Sequence, residues 1–265
     1  METISDIDLR DLLDTEAASI NNPAFIDEDP VQFPRRFDDL RDIEITSLLV
    51  SSIAWGKRSM ILRDADRMLS MMDNSPYRFV VEQGYRDIPD NLNIHRTFFT
   101  ENLKHFLAGL HVLYKKYDTL DNFCRATGAA DSEFPAWKLA ENINIILADA
   151  NNGNTDSRCL PLNTNQTALK RLNMALRWLV RNDGIVDLGV WKSLTPAQLF
   201  IPLDIHVANV SRDLGLLSRK SNDRKAVIEL TERLRKFRPD DPVYYDYALF
   251  GIGVTGRRGT IETNL

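Results

Sequence analysis

The chain has 265 residues, of which 43% are hydrophobic and 27% are charged, a composition typical of globular proteins that bury a core. It contains no run of about 18 or more apolar residues, the length that a membrane-spanning helix needs. Its first residues, METISDIDLR, are acidic where a signal peptide is basic and then apolar. These features predict a cytoplasmic protein that does not bind a membrane.

The formal net charge of −5 is distributed unevenly along the chain. Residues 1–157 carry 16 Lys and Arg against 27 Asp and Glu, a balance of −11. Residues 158–258 carry 17 against 10, a balance of +7. Such asymmetry indicates either a face that binds a polyanion or two halves that attract each other across an internal interface. We therefore predict an acidic lobe over residues 1–157 and a basic lobe over residues 158–265, with termini that pack across the two lobes.

The sequence of the first half predicts a series of helices. A proline-punctuated loop at 27–36 follows a short N-terminal helix, and residues 42–72 then form one or two helices with a break at Gly56. Apolar residues at helical spacing predict further helices at 97–117 and 134–147.

The second half begins after a helix-poor segment rich in Asn, Thr and Gly at 151–166. The remaining pattern predicts four helices, at 166–182, 204–214, 223–237 and 241–250. No alternating strand and no hairpin signal is recognisable. The predicted fold is all-α, a two-lobed helical bundle.

The boundaries of the helix at 204–214 are well marked. Pro202 disfavours helix at the residue before it, and Asp204 can cap the free amides that follow. Gly215 then follows the last apolar position, as a C′ glycine does. An aspartate at such a position is most often an N-cap, so any chemical role for Asp204 needs a further argument.

The helix that begins near Lys170 carries cations on one side. Lys170, Met174, Arg177 and Arg181 lie opposite the leucine-rich face, and like charges at this spacing repel each other. Such a stripe favours an anionic partner. Either the phosphate backbone of a nucleic acid or carboxylates from elsewhere in the fold would serve.

The segment IPLDIHVANVSRDLGLL, residues 201–217, resembles a motif of the helix–hairpin–helix DNA glycosylase superfamily. In that superfamily an aspartate is followed two residues later by a histidine, and the helix ends at Leu-Gly. The resemblance makes Asp204 the catalytic carboxylate and puts His206 at the histidine position. Lys170, in TALKRLNMALRWLVR, is the best match to the catalytic lysine of the lyase-type members, and DPVYYDYALFGIGV resembles their closing helix.

The second half is most similar to an uncharacterised bacterial family related to these enzymes, and nearest to the archaeal 8-oxoguanine glycosylase type. The resemblance covers about residues 158–256. Three features depart from the superfamily pattern: the hairpin segment LPLNTNQTALKR has no glycine, 34 residues separate Lys170 from Asp204, and no four-cysteine iron–sulfur loop follows the last helix.

The resemblance implies a DNA-repair N-glycosylase, with or without AP-lyase activity, that removes a damaged base. Lys170 would be the nucleophile, and Asp204 would stabilise the cationic sugar and act as a base. A base flipped out of the stack needs an aromatic pocket. We expect DNA contacts from Arg171, Arg177, Arg181 and His206, and base-pocket candidates at Trp55, Trp178 and Trp191.

Two other classes of function are compatible with the sequence. The glycine-free hairpin favours a non-catalytic module with a glycosylase-like fold that binds DNA or RNA. The acidic half would suit a protein–protein scaffold. The two cysteines, Cys124 and Cys159, have no metal-ligand spacing, so we expect no metal and no cofactor. We expect a monomer.

Overall fold

The computed structural model of the protein describes residues 5–255 and confirms the all-α prediction. The proline-punctuated segment forms two 3-10 turns, at Pro30–Gln32 and Pro34–Arg36, instead of an open loop. Gly56, with φ of +102°, lies in the break between two helices as predicted. The helices of this part are α1 (Asp6–Ile20), α2 (Pro23–Glu28), α3 (Leu40–Ser52), α4 (Arg58–Ser70) and α5 (Pro76–Val81).

A small antiparallel strand pair follows a 3-10 turn at Gly84–Asp87, which the sequence pattern did not predict. Its strands, β1 (Asn93–His95) and β2 (Phe98–Phe99), pair Asn93 with Phe99 and His95 with Phe98. Strands of two and three residues are too short to show an alternating pattern. The next helices are α6 (Thr100–Tyr117), α7 (Leu120–Ala126) and α8 (Pro135–Ala150).

No helix forms between residues 151 and 166, as the composition of that segment predicted. The four helices that follow are α9 (Lys170–Val180), α10 (Ile205–Asp213), α11 (Arg224–Arg235) and α12 (Asp246–Thr255). α9 begins at Lys170, four residues later than predicted, because Leu169 has a left-handed backbone with φ of 50°. A 3-10 turn, Pro242–Tyr245, precedes α12, so the predicted last helix begins later than Asp241.

α3 and α9 pack against each other in the centre of the molecule. Every residue of α3 from Ile43 to Ser52 is buried, and so is every residue of α9 from Leu172 to Val180. A helix that is buried on all sides belongs to the core. The first turns of α9 are therefore fixed by packing along the whole helix.

The remaining contacts that shape the site come from the chain ends. α1 packs along α12, and α12 in turn packs against α10. α6 packs against α8, and Gly109 lets the two helices approach closely. α1 and α3 of the predicted acidic lobe thus contact α12 and α9 of the predicted basic lobe; the division into two lobes stays a prediction.

Among the helices of residues 5–255, none is long and apolar enough to cross a membrane.

Candidate active site

A cleft of about 670 Å³ opens where the first turns of α4, α9 and α10 come together. The segment before α3 and the helix α12 close its other sides. Aromatic, cationic and acidic side chains share its wall. The ring and charged side chains that line it are Phe25, Asp29, Trp55, Arg58, Lys170, Arg171, Arg177, Asp204, His206, Asp246, Tyr247 and Phe250.

Lys170 and Asp204 meet in this cleft although 34 residues separate them in the chain. Lys170 is the first residue of α9, and Asp204 is the N-cap of α10. The distance from Lys170 Nζ to Asp204 Oδ2 is 3.9 Å, and the two side chains are 29% and 28% exposed. The pair is thus shielded from bulk water on most sides but open to a ligand.

Asp204 is held by the backbone of its own helix. Its Oδ1 accepts hydrogen bonds from the amides of His206, at 2.9 Å, and Val207, at 3.0 Å. This is the predicted N-cap, and Gly215, with φ of +68°, follows α10 as predicted. Because Oδ1 is used by the cap, Oδ2 is the oxygen that faces Lys170.

Two further carboxylates border the cleft, and sequence reasoning missed both. Asp246, the first residue of α12, is 6% exposed and accepts a hydrogen bond from Arg177 Nη1. Burial raises the pKa of Asp246 to about 6 against the opposing attraction of Arg177. Burial also raises the pKa of Asp29, whose Oδ1 accepts from the amide of Val31 at 3.0 Å. Asp246 stands in the segment that resembles the closing helix, whereas nothing in the sequence singles out Asp29.

The expectation that Arg177 and Arg181 bind a phosphate backbone is corrected by their burial. The two side chains are 6% and 2% exposed, and carboxylates surround both. Arg177 donates to Asp187 and Asp246, and Arg181 donates to Asp187 and Asp241. The stripe of cations on α9 is met by acidic residues of the same chain, the second of the two alternatives that the sequence left open.

The other predicted cations lie at the cleft. Arg171 lines it, is partly buried and donates to the carbonyl of Ser52, and burial lowers its pKa. His206 also lines the cleft, at an exposed position. Arg58 was not predicted; its guanidinium lies 5.4 Å from the ring of Phe250 at the same site.

Of the three predicted tryptophans, only Trp55 borders the cleft. Trp178 and Trp191 are 0% and 3% exposed and belong to the core, so they are not available to a ligand. The buried Nε1 atoms of both have no hydrogen-bond partner among the described residues. Phe25, Tyr247 and Phe250 contribute the remaining aromatic wall, with Phe25 in edge contact with the other two rings at 5.5 and 5.9 Å.

Within residues 5–255, no group of three or more His, Cys, Asp or Glu side chains could hold a metal ion. Cys124 and Cys159 are buried free thiols, and burial raises the pKa of both.

The chain belongs to a family described as a protein of unknown function (DUF2400), whose model matches residues 29–255. That match includes α3 to α12 and every cleft residue except Phe25. No curated protein and no solved structure matches the chain. The resemblance to helix–hairpin–helix DNA glycosylases therefore stays a prediction.

Proposed function

We propose that the cleft is the active site of a DNA glycosylase with AP-lyase activity, which removes a damaged base and then cleaves the strand. The observation that carries the proposal is the meeting of Lys170 Nζ and Asp204 Oδ2 at 3.9 Å in one half-buried cleft. An amine and a carboxylate side by side are the groups that this reaction requires.

The amine of Lys170 would attack C1′ of the deoxyribose. The bond between C1′ and the base nitrogen breaks, and its electron pair leaves with the base. Positive charge develops on the sugar as this bond lengthens, and a fixed carboxylate stabilises it. The C1′–O4′ bond then breaks, which opens the sugar ring and leaves an imine between C1′ and Nζ. Of the two protons that the neutral amine loses, one goes to the departing base and one to O4′. Strand cleavage follows by β-elimination: a proton leaves C2′ and the C3′–O bond breaks, so that the 3′ phosphate departs with its electron pair.

Lys170 must give up a proton before it can attack. Asp204 Oδ2, at 3.9 Å, is close enough to receive it with a small movement of the lysine side chain. The cap on Oδ1 keeps the carboxylate in place during this transfer, since both backbone amides belong to the rigid first turn of α10.

The aromatic wall would receive the base. Trp55, Phe25, Tyr247 and Phe250 surround the same cleft, and stacking on aromatic rings is how enzymes hold a base outside the helix. Arg171, Arg58 and His206, which line the same cleft, would supply positive charge or hydrogen-bond donors for the DNA backbone. Because Arg177 and Arg181 are buried, a non-catalytic module would have to bind nucleic acid, in a salt-dependent way, through this smaller set of side chains.

The proposal is tested by borohydride trapping on oligonucleotides that carry either a panel of damaged bases or an abasic site. Borohydride reduces the imine to a stable amine, which links protein to DNA. We expect the wild type to form this adduct and Lys170→Gln to lose it. Lys225→Gln, which removes an exposed lysine from the first turn of α11, is the matched control and keeps it.

Asp204→Asn tests the carboxylate separately. Asparagine caps a helix as well as aspartate does, so α10 stays intact while the charge is lost. We expect base release to fall by about 100-fold or more, a magnitude typical of a lost electrostatic or general-base group. Asp223→Asn, at the equivalent cap of α11 outside the cleft, should leave activity unchanged. Equal activity in the wild type and Asp204→Asn would contradict the assignment.

A further inference from the structure

A buried histidine lies directly behind the aromatic wall of the cleft. His95, on β1, is 0% exposed. Its Nδ1 lies 2.7 Å from Asp64 Oδ2, and its Nε2 lies 2.8 Å from the backbone carbonyl oxygen of Trp55. His95 thus connects α4, through Asp64, to the segment between α3 and α4 that carries Trp55.

The partners of His95 fix which atoms donate. A carbonyl oxygen only accepts, so Nε2 carries a proton and donates to Trp55. An ionised Asp64 also only accepts, so the contact at Nδ1 requires a proton there as well. Such charge-assisted bonds are shorter and stronger than neutral ones. The distance of 2.7 Å between His95 Nδ1 and Asp64 Oδ2 agrees with this.

The charges around this pair keep Asp64 ionised. Asp64 is 2% exposed, and burial raises its pKa. Hydrogen bonds from His95 and Arg63, together with the charges of Arg63 and Arg67, lower it by more, so the net pKa lies below its usual value. Arg63 Nη2 lies 2.8 Å and Arg67 Nη2 3.7 Å from Asp64 Oδ1. Arg67 also donates to the carbonyls of Asn93 and Ile94, which binds β1 to α4.

Trp55 depends on this arrangement because no helix holds it. It lies between α3 and α4 and precedes Gly56, whose φ of +102° lies outside the helical region. The Trp55 ring meets the His95 ring edge-on, with centroids 4.7 Å apart. The guanidinium of Arg171 lies 5.2 Å from the Trp55 ring. Backbone and ring of Trp55 are thus both positioned by residues distant in the chain.

We propose that His95, anchored by Asp64, is a positioning residue that fixes Trp55 as a stacking wall for the base. The role of the wall depends on the proposed function, whereas the effect of His95 on Trp55 can be measured without any activity.

The first measurement compares two substrates in His95→Gln. A glutamine side chain has both of its N–H donors on one nitrogen atom, so it cannot span the two acceptors as the two ring nitrogens of His95 do. We expect excision of a damaged base to fall about tenfold or more, since stacking on an aromatic side chain contributes strongly to base binding. Cleavage at a preformed abasic site should stay within about twofold of the wild type, because that substrate has no base to stack.

Two variants complete this comparison. Trp55→Ala should show the same split between the two substrates. His111→Gln is the matched control, since His111 is a partly buried histidine that also contacts a backbone carbonyl, Val80, but lies away from the cleft. It should match the wild type on both substrates. Equal losses on both substrates in His95→Gln would overturn the positioning role.

The second measurement needs no substrate. Each protein is compared with its own Trp55→Phe partner, so that the difference in fluorescence belongs to Trp55. We expect acrylamide to quench this component more strongly in His95→Gln and in Asp64→Ala than in the wild type, whereas His111→Gln is unchanged. Unchanged quenching in His95→Gln would overturn the proposal even if the enzyme is active. If quenching changes in His95→Gln but the wild-type protein has no glycosylase activity, the positioning role of His95 is supported and the proposed function is contradicted.

Discussion

Asp204 uses its two carboxylate oxygens for different purposes. Oδ1 caps α10 by accepting hydrogen bonds from two backbone amides. Such a cap stabilises a helix by about 1 kcal/mol. Oδ2 faces Lys170 across the cleft. The structural and the proposed chemical roles of this residue are therefore compatible, because the cap holds the carboxylate in the orientation that the chemistry needs.

Glu44 is a buried carboxylate that should make stability depend on pH. It is 0% exposed on α3 and accepts hydrogen bonds from the Tyr114 hydroxyl and the amides of Leu120 and Asp121. Burial raises its pKa from 4.5 to about 7 despite these bonds. Between those two pH values the folded protein binds a proton that the unfolded chain lacks, so raising the pH removes stability.

We therefore predict that the free energy of unfolding of the wild type, relative to Glu44→Gln, decreases by about 3 kcal/mol between pH 4.5 and pH 7. Urea denaturation at a series of pH values measures this difference. A glutamine cannot ionise, so the variant lacks the contribution of this site. A constant difference between the two proteins over the whole range would show that Glu44 does not titrate as its burial implies.

At the scale of elements, α9 illustrates what helical periodicity can and cannot predict. The spacing correctly put Lys170, Met174 and Arg177 on one side, and all three border the cleft. It could not identify the partners of the arginines, because Asp187 and Asp246 reach them only after the chain has folded back. Periodicity describes the faces of a single helix, whereas the burial of its charged face depends on the other segments that pack against it.

The contact between α6 and α8 leads to a prediction about two glycines. A Cβ at Gly109 would lie 2.2 Å from Leu147 Cδ2 and 3.0 Å from its Cα, whereas a Cβ at Gly253 in α12 would make ordinary contacts at 3.4 Å. Alanine favours a helix over glycine by about 1 kcal/mol, but overpacking costs roughly 1–3 kcal/mol. We expect Gly109→Ala to lower the melting temperature and Gly253→Ala to preserve or raise it. Calorimetry that ranks the two variants in the reverse order would contradict the close approach of α6 and α8.

At the scale of the whole molecule, part of the charge asymmetry faces inward. Arg233 and Arg238 of the basic half form ion pairs with Asp6 and Asp14 of α1, and the Tyr245 hydroxyl donates to Asp14. The halves therefore attract each other across an internal contact, one of the two explanations that the sequence left open. Lys170 and Arg171 of the basic half line the cleft instead.

The buried charges around Asp187 should be important for stability. Asp187 accepts from Arg177, Arg181 and the Tyr247 hydroxyl, so it joins α9 to α12. Removing one partner from a buried ion pair leaves an uncompensated charge and costs roughly 3–5 kcal/mol. We expect Asp187→Ala to lose about 3 kcal/mol in urea denaturation, since other carboxylates still contact both arginines.

Asp66→Ala is the control for that prediction. It removes an exposed ion pair with Arg36, whose side chains are 41% and 59% exposed, and should cost less than about 1 kcal/mol. Similar losses in the two variants would mean that the buried network contributes no more than a surface pair.

The sequence predicted the helices best where a capping residue or a glycine marks a helix boundary. Asp204 and Gly215 bound α10 as expected, and Asp223 caps α11. The short helices α5 and α7 and the strand pair were missed, because segments of two to seven residues carry too little periodicity. Within the site, Lys170 and Asp204 were found through a resemblance. His95 was not found, because its contacts with Asp64 and Trp55 are distant in the chain and no local pattern encodes them.

The covalent bond between Lys170 and DNA is the central claim, and peptide mapping of the borohydride-trapped adduct tests it most directly. The wild-type protein is trapped on an oligonucleotide with an abasic site, digested with protease and nuclease, and analysed by mass spectrometry. We predict that the reduced sugar fragment is attached to Nζ of Lys170. Attachment at any other amine, or the absence of an adduct under conditions that trap a known lyase, would contradict the account.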